Sequence, residues 1–423
     1  MRHFHWPAAP TGTTPTQRKN FSKVQFDAIG VGLTGAAAPF LPVFLTRLGA
    51  TNFQVGLLTA MPAFTGLFLA IAMGRFLQSR QNTVPWFSSA GLLYFSSYAL
   101  TGVISFIAPK PYVVLAILVI WAVATLPQTM RNVAFSVVMN AVAGPSGRYA
   151  LMSRRWSILG LVSAITVMAV GQILDRLRFP INYQLVFIGL SVGGLISYYY
   201  SSRIELPDTE PQPRTAELSL PQRIKDYINL IRNERAFVSF TAKRFVYVAG
   251  ATLSAPLLPL YYVREVQATD AWIGIINTAQ TAIMLLGYFL WARQEKTRGS
   301  RFVLLWTTLG LAIYPALIAS THRVELIAFY VSLAGVFQAG LDLVFFDELM
   351  KTVPIQHSAT FVSLAQSSQH LSAVIAPLLG TLLADHFGIG HALVMSTIVR
   401  LVGFGLFAWS TEGRASRQPR AKS

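Results

Sequence analysis

Polar side chains able to bind or carry charge are few in this chain, and several fall in pairs at helical spacing. Gln128 and Arg131 stand three residues apart inside the apolar run 112–142, and Gln338 and Asp342 stand four apart inside the run 324–352. Both spacings stack the two side chains on one helix face. An ionised group inside so apolar a run costs at least about 2.5–3.5 kcal/mol on membrane-insertion scales, so it needs a partner, a water-filled cavity or a role. Arg131 can hold an anionic group or pair with Asp342, while Asp342 can take up a proton or meet a cationic group. A static pair that fixes packing is the alternative. Arg400, in the middle of the run 391–410, is a second candidate partner for Asp342.

A second set of charges consists of Asp27 at the start of the run 26–46, Lys243 and Arg244 in the run 236–263, and Asp347 with Glu348 late in 324–352. Opposite charges from both parts of the chain suit ion pairs that form and break together. Taken singly, Asp27 is a favourable charge at a helix N-terminus, and Lys243 and Arg244 are long enough to snorkel. In the run 359–384, Gln366 and His370 share a face, with Gln369 beside them. Histidine titrates near neutrality, so His370 is a candidate proton carrier, with a hydrogen-bonded packing histidine as the alternative. Tyr247 and Gln280 are further candidate hydrogen-bonding groups for a bound solute.

The elements that must position these residues follow from composition. Of 423 residues, 53% are hydrophobic and 12% charged, against about 25% charged in an ordinary globular protein. A helix crossing about 30 Å of hydrocarbon needs roughly 20 mainly apolar residues. Twelve runs qualify: 26–46, 53–77, 84–107, 112–142, 156–174 and 183–202, then 236–263, 271–292, 302–320, 324–352, 359–384 and 391–410. The predicted fold class is all-α integral membrane, with twelve transmembrane helices in two six-helix bundles. The bundles span 26–202 and 236–411, flanked by tails at 1–25 and 412–423 and joined by a linker at 203–235.

With both termini on one side, that side collects 24 Lys or Arg and the opposite side six: Arg47, Lys110, Arg176, Arg178, Arg264 and Arg323. The positive-inside rule then makes both termini cytoplasmic. The net charge of +17 is thereby a topology signal with some attraction to anionic headgroups, not a nucleic-acid footprint. The first twenty residues lack an apolar core and do not read as a secretory signal peptide; they read as a short disordered tail. Within the linker, Ile224, Ile228 and Ile231 share a face opposite basic residues, which suits a short helix on the membrane surface or a solvated connection.

Cysteine is absent, which excludes disulfides, thiolate catalysis and cysteine-ligated metal. No loop is long enough for a folded catalytic domain of about 50 residues, and no Gly-x-x-x-x-Gly-Lys loop is present for nucleotide. An enzyme is not expected, nor a cofactor or a bound metal.

The two bundles echo each other. APFLPVFLTR from Ala38 returns 217 positions later as APLLPLYYVR from Ala255, and Ala50, Thr51 and Gly56 recur as Ala268, Thr269 and Gly274. Pro39, Pro42, Pro256 and Pro259 should interrupt the backbone ladder of the first and seventh helices. Duplicated kinks of this kind would help close an external mouth.

Twelve helices, the six-plus-six arrangement, the basic central loop and the parallel repeat together resemble the major facilitator superfamily of secondary transporters. The resemblance covers about 26–410. The stretch after the fourth run, with Pro145, Gly147, Arg148, Arg154 and Arg155, is similar to that family's pattern before helix 5, and APLLGTLLAD from Ala376 is similar to its small-residue end of helix 11. Gly160 and Gly171 in the fifth run are not followed by proline, so the signature of drug/proton antiporters is missing. The resemblance implies halves that rock about a midplane site, with helices 1, 4, 7 and 10 lining the path.

On that reading the protein moves a small solute by alternating access, with proton coupling. Gln128, Arg131, Tyr247, Gln280, Gln338, Asp342 and Gln366 are the substrate-binding candidates. Asp27, Lys243, Arg244, Asp347, Glu348 and His370 are the candidates for proton coupling or a cytoplasmic gate. The expected partners are a small-molecule substrate, protons and the lipid bilayer of the inner cell membrane, with the chain acting as a monomer. A non-transporting receptor or lipid scramblase on the same fold is the alternative, with an integral-membrane transferase behind it.

Overall fold

A computed structural model of the chain describes residues 14–206, 234–352 and 358–409. Among them the secondary structure is helical throughout, with no strand: α1 (Pro15–Gly35), α2 (Phe40–Arg47), α3 (Asn52–Gln78), α4 (Val84–Ile107), α5 (Val113–Arg176), α6 (Ile181–Ser201), α7 (Arg235–Ser254), α8 (Leu257–Arg264), α9 (Asp270–Arg298), α10 (Ser300–Ala319), α11 (Val324–Thr352), α12 (Ser358–Phe387) and α13 (Ile389–Trp409). They supply twelve spans long and apolar enough to cross a membrane. Large apolar side chains such as Phe289 and Leu286 on α9 and Leu161 and Ile165 on α5 stand exposed. Helices apolar on their outward faces too are built for lipid. The linker face of Ile224, Ile228 and Ile231, and the side chains of Pro145, Gly147 and Arg148, fall outside the described residues.

The chain divides into two units, Met1–Glu217 with Ala268–Thr278, and Leu218–Gln267 with Ala279–Ser423. In the first, α1 packs on α5 and α6, and α4 packs on α5 and α6. Glycines let α1 and α6 touch: a Cβ on Gly30 would run into the carbonyl oxygen of Gly193, and a Cβ on Gly193 would lie 2.5 Å from that of Gly30. Such close backbone approach is a common way for helices to associate in lipid. In the second unit α13 packs on α7 and α10, and α12 on α7.

The repeated prolines break the first and seventh spans as their spacing predicts. α1 stops at Gly35, and α2 starts immediately after Pro39. Likewise α7 stops at Ser254, and α8 starts immediately after Pro256. The second proline of each motif, Pro42 or Pro259, falls in the first turn of the new helix, where the missing N–H is not needed.

Two helices differ from the sequence reading. The first begins at Pro15, not at residue 26, with Thr14 and Gln17 forming a capping box. Its polar early turns are stable because Asn20 Nδ2 donates to the Glu205 carbonyl at 2.7 Å and Lys23 Nζ pairs with the Glu205 carboxylate at 2.8 Å. The expected loop between the fourth and fifth spans is also helical, so α5 holds both spans, Lys110–Ala143 from its preceding turn and Leu151–Arg176. In a straight helix residues 20 apart lie about 30 Å apart. The Arg155 guanidinium nevertheless sits 4.6 Å from the ring centre of Phe135, so the chain doubles back between them.

Candidate functional site

In the first unit the charges converge on Asp27, which is fully buried. Ser197 Oγ on α6 donates to its Oδ1 at 2.6 Å, Arg155 Nη2 donates to its Oδ2 at 3.3 Å, and Arg131 Nη2 lies 4.0 Å from Oδ1. Asp27 is therefore not a helix N-terminal charge: α1 starts at Pro15, and Asp27 is the counter-ion of two guanidiniums. The ion-pair partner of Arg131 is Asp27, where the sequence pointed to Asp342. Arg131 also lies over the ring of Phe95 at 4.4 Å, in space left by Gly91, whose Cβ would sit 3.0 Å from Arg131 Nε. Gln128 reaches the Tyr94 hydroxyl at a long 3.5 Å.

In the second unit a cavity of about 440 Å³ opens beside α7, α11 and α12, lined by Arg244, Tyr247, Gln338, Asp342, Gln366 and Gln369 together with apolar side chains. The four-residue spacing of Gln338 and Asp342 does place them side by side, and Gln338 Nε2 donates to Asp342 Oδ1 at 2.8 Å. Tyr288 on α9 donates its hydroxyl to Asp342 Oδ2 at 3.1 Å. Asp342 is exposed, and in a lipid-clad helix an exposed carboxylate must face water; the cavity supplies it. Arg244, read from sequence as a gate residue, lies in this cavity, with its guanidinium 5.2 Å from the ring centre of Phe345. The Gln369 amide, with its oxygen turned toward α7, accepts from Arg244 Nε at 3.1 Å.

Other expected residues stand elsewhere. Tyr247 presents its ring to the cavity, but its hydroxyl is committed to the Thr308 carbonyl at 2.9 Å. Gln280 and His370 are half-buried and do not line the cavity. Asp347 and Glu348 both pair with Lys351 on their own helix, at 2.6 and 3.0 Å, and Lys243 is half-buried on α7. Arg400 is not a partner of Asp342. It donates to the Leu311 carbonyl and to Ser254 Oγ, each at 2.8 Å. Among the described residues no group of three or more His, Cys, Asp or Glu is placed to hold a metal ion.

Sequence reasoning missed Tyr288, Ser197 and Arg155 as site residues. It also missed a cluster around Asp270, the first residue of α9. Arg47 Nη2 pairs with Asp270 Oδ1 at 2.9 Å, Tyr183 donates its hydroxyl to the same oxygen, and Asp175 Oδ1 accepts from the Asp270 backbone N–H at 2.8 Å. Two acids and one arginine near the ends of apolar runs read only as loop charges until the fold joins them.

Twelve apolar spans among the described residues, with a partly polar cavity inside one helical unit, define a multi-pass membrane protein. The family model described as Major Facilitator Superfamily matches residues 240–423. It is 25% identical over 165 residues to "Multidrug resistance protein MdtG" of Proteus mirabilis, a match covering 38% of this chain and 40% of that protein. It is 28% identical over 186 residues to "Sugar efflux transporter A" of Escherichia coli, covering 42% and 45%. The chain thus aligns with less than half the length of these relatives. Its fold is similar to that of the nucleoside transporter NupG, with a TM-score of 0.66 at 10% identity over 93% of this chain and 98% of that one. Each of these likenesses is to a protein named as a transporter or a resistance protein.

Proposed function

We propose that the protein carries a small solute across the inner cell membrane by alternating access, coupled to protons, as a monomer with both termini in the cytoplasm. One observation carries this reading: Asp342 opens into a cavity of about 440 Å³ with uncharged hydrogen-bond donors as its neighbours. Sites for small molecules occupy about 300–1,000 Å³. A carboxylate that holds either a proton or a cationic group, but not both at once, couples the two flows. A proton crossing at 100 mV supplies about 2.3 kcal/mol from the potential alone, enough for a severalfold solute gradient. The excess of Lys and Arg on one side of the spans supports the orientation. The cavity's mixture of carboxylate, guanidinium, amides and aromatic rings suits an amphipathic metabolite, a drug or a sugar.

Uptake of labelled solutes into proteoliposomes, with and without an imposed pH gradient, tests this. The wild type should accumulate solute only with the gradient, and Asp342→Asn should remove that dependence. Equal gradient-driven accumulation by both proteins, or lipid exchange with no solute flux, overturns the reading.

A further inference from the structure

We propose that the cavity of the second unit selects zwitterionic solutes, with the Asp342 carboxylate taking the cationic group and the Arg244 guanidinium taking the anionic one. This rests on that cavity being the solute site.

The argument starts from which charges have partners. Four other carboxylates in the described spans carry a cation, Asp27 with Arg155 and Arg131, Asp270 with Arg47, and Asp347 and Glu348 with Lys351, while Asp175 is met by the Asp270 backbone N–H. Among the described residues Asp342 has none within 4.0 Å; its partners are the Gln338 amide and the Tyr288 hydroxyl. Arg244 likewise has uncharged company, the Gln369 amide and the face of Phe345. Arg400 shows that a buried guanidinium in this fold can be held by uncharged oxygens, the Leu311 and Ala251 carbonyls and Ser254 Oγ, and Arg244 is not treated that way.

Asp342 and Arg244 thus bring opposite charges, without ion-pair partners among the described residues, to one cavity. Phe345, over which Arg244 lies, is three residues beyond Asp342 on α11, about 5 Å of helical rise. A singly charged solute would satisfy one group and leave the other uncompensated at membrane depth, which is expensive. A zwitterion satisfies both and leaves the net charge of the cavity unchanged. Its apolar body has Phe345, Phe346, Leu341 and Met350 to rest on. Charge-assisted hydrogen bonds to both ends are the strong kind.

The test is binding to the purified full chain by titration calorimetry, with two congeneric series. One is phenylalanine, its methyl ester and its N-acetyl derivative; the other is 4-(aminomethyl)benzoate with the same two derivatives, which sets the charges further apart. In at least one series the zwitterion should bind about tenfold more tightly than either singly charged form, the factor that about 1.4 kcal/mol provides. Asp342→Asn should erase the preference over the N-acetyl form and keep that over the ester. Arg244→Gln should do the converse. Absence of zwitterion preference, absence of binding in both series, or equal weakening of all three forms by both substitutions overturns the proposal. Met350→Trp, which fills the cavity, separates the two ways of failing. Unchanged binding in that variant means the solute site lies elsewhere, whereas binding lost in that variant with no zwitterion preference in the wild type removes the charge assignment alone.

Discussion

Arg400 Nη1 donates to the carbonyl oxygen of Leu311 at 2.8 Å, the oxygen that Pro315, four residues further along α10, has no N–H to engage. The neighbouring Ala316 N–H is met from the same helix as Arg400, donating to Thr397 Oγ1 at 3.0 Å. On the other side, Arg400 Nη2 reaches Ser254 Oγ at 2.8 Å and the Ala251 carbonyl at 3.5 Å, where α7 ends before Pro256. The Ala255 N–H has turned to the Thr252 carbonyl there. One buried arginine on α13 therefore satisfies backbone released by proline breaks in two other helices, which explains how a guanidinium without a carboxylate is held in the bundle.

Replacing Arg400 with Met should expose that dependence. Leaving the Leu311 oxygen buried and unsatisfied costs about 1–3 kcal/mol. In Pro315→Ala the restored N–H can take the same oxygen, so the double variant should lose less than the sum of the two single losses, by about 1–2 kcal/mol in thermal or denaturant unfolding. Strict additivity would show that Arg400 is not the substitute donor.

Asp27 makes a sharper contrast. Asp27→Asn removes the charge that two guanidiniums share, and breaking a buried pair from one side costs about 3–5 kcal/mol. Ser197→Ala removes one hydrogen bond from the same carboxylate and should cost less, about 1.5 kcal/mol. Comparable losses in unfolding experiments would mean that the Asp27 carboxylate is not the ionic centre of the first unit.

The glycine contact between α1 and α6 sets up a position-specific outcome. Gly30→Ala places a methyl group against the Gly193 carbonyl oxygen, and 2.6 Å from the Ser197 nitrogen before relaxation. Overpacking of this kind costs about 1–3 kcal/mol, and here rigid backbone must move. Gly189→Ala, on α6 with open space around its would-be Cβ, should leave the unfolding free energy within about 0.5 kcal/mol of the wild type. If both variants unfold alike, α1 and α6 are not in backbone contact.

These relationships are unevenly legible in the sequence. The Ala-Pro-x-Leu-Pro repeat locates both helix breaks because a missing N–H is a local property. The Gln338 and Asp342 pairing is readable for the same reason, since i,i+4 neighbours are fixed by one helix. Asp27 misleads because the apolar pattern starts its helix too late, and the polar residues that extend it find partners only at Glu205, far along the chain. Arg400 looks like a partner for Asp342 because an arginine suggests a carboxylate. Its actual acceptors are two carbonyls and the Ser254 hydroxyl, invisible until one knows that α13 packs on both α7 and α10.

The start of α9 offers the last prediction, and the absence of cysteine makes it clean to test. Gly171 on α5 lies against this segment: its Cβ would sit 2.7 Å from the Asp270 carbonyl and 3.2 Å from Gly274 Cα. Nearby, Thr278 Oγ1 donates to the Ala164 carbonyl at 3.1 Å. With Ala164→Cys and Thr278→Cys introduced together, a disulfide should form on mild oxidation, since that hydrogen bond holds the Thr278 side chain against the Ala164 backbone. Adding Gly171→Ala should push the start of α9 off α5, slow that cross-linking and weaken the Arg47 to Asp270 pair that depends on the same seating. Gly160→Ala, where the added methyl meets nothing, should leave the cross-linking rate unchanged. Equal rates in the two glycine variants would show that the segment is held by its ion pair and hydrogen bonds, with the glycine contact contributing nothing.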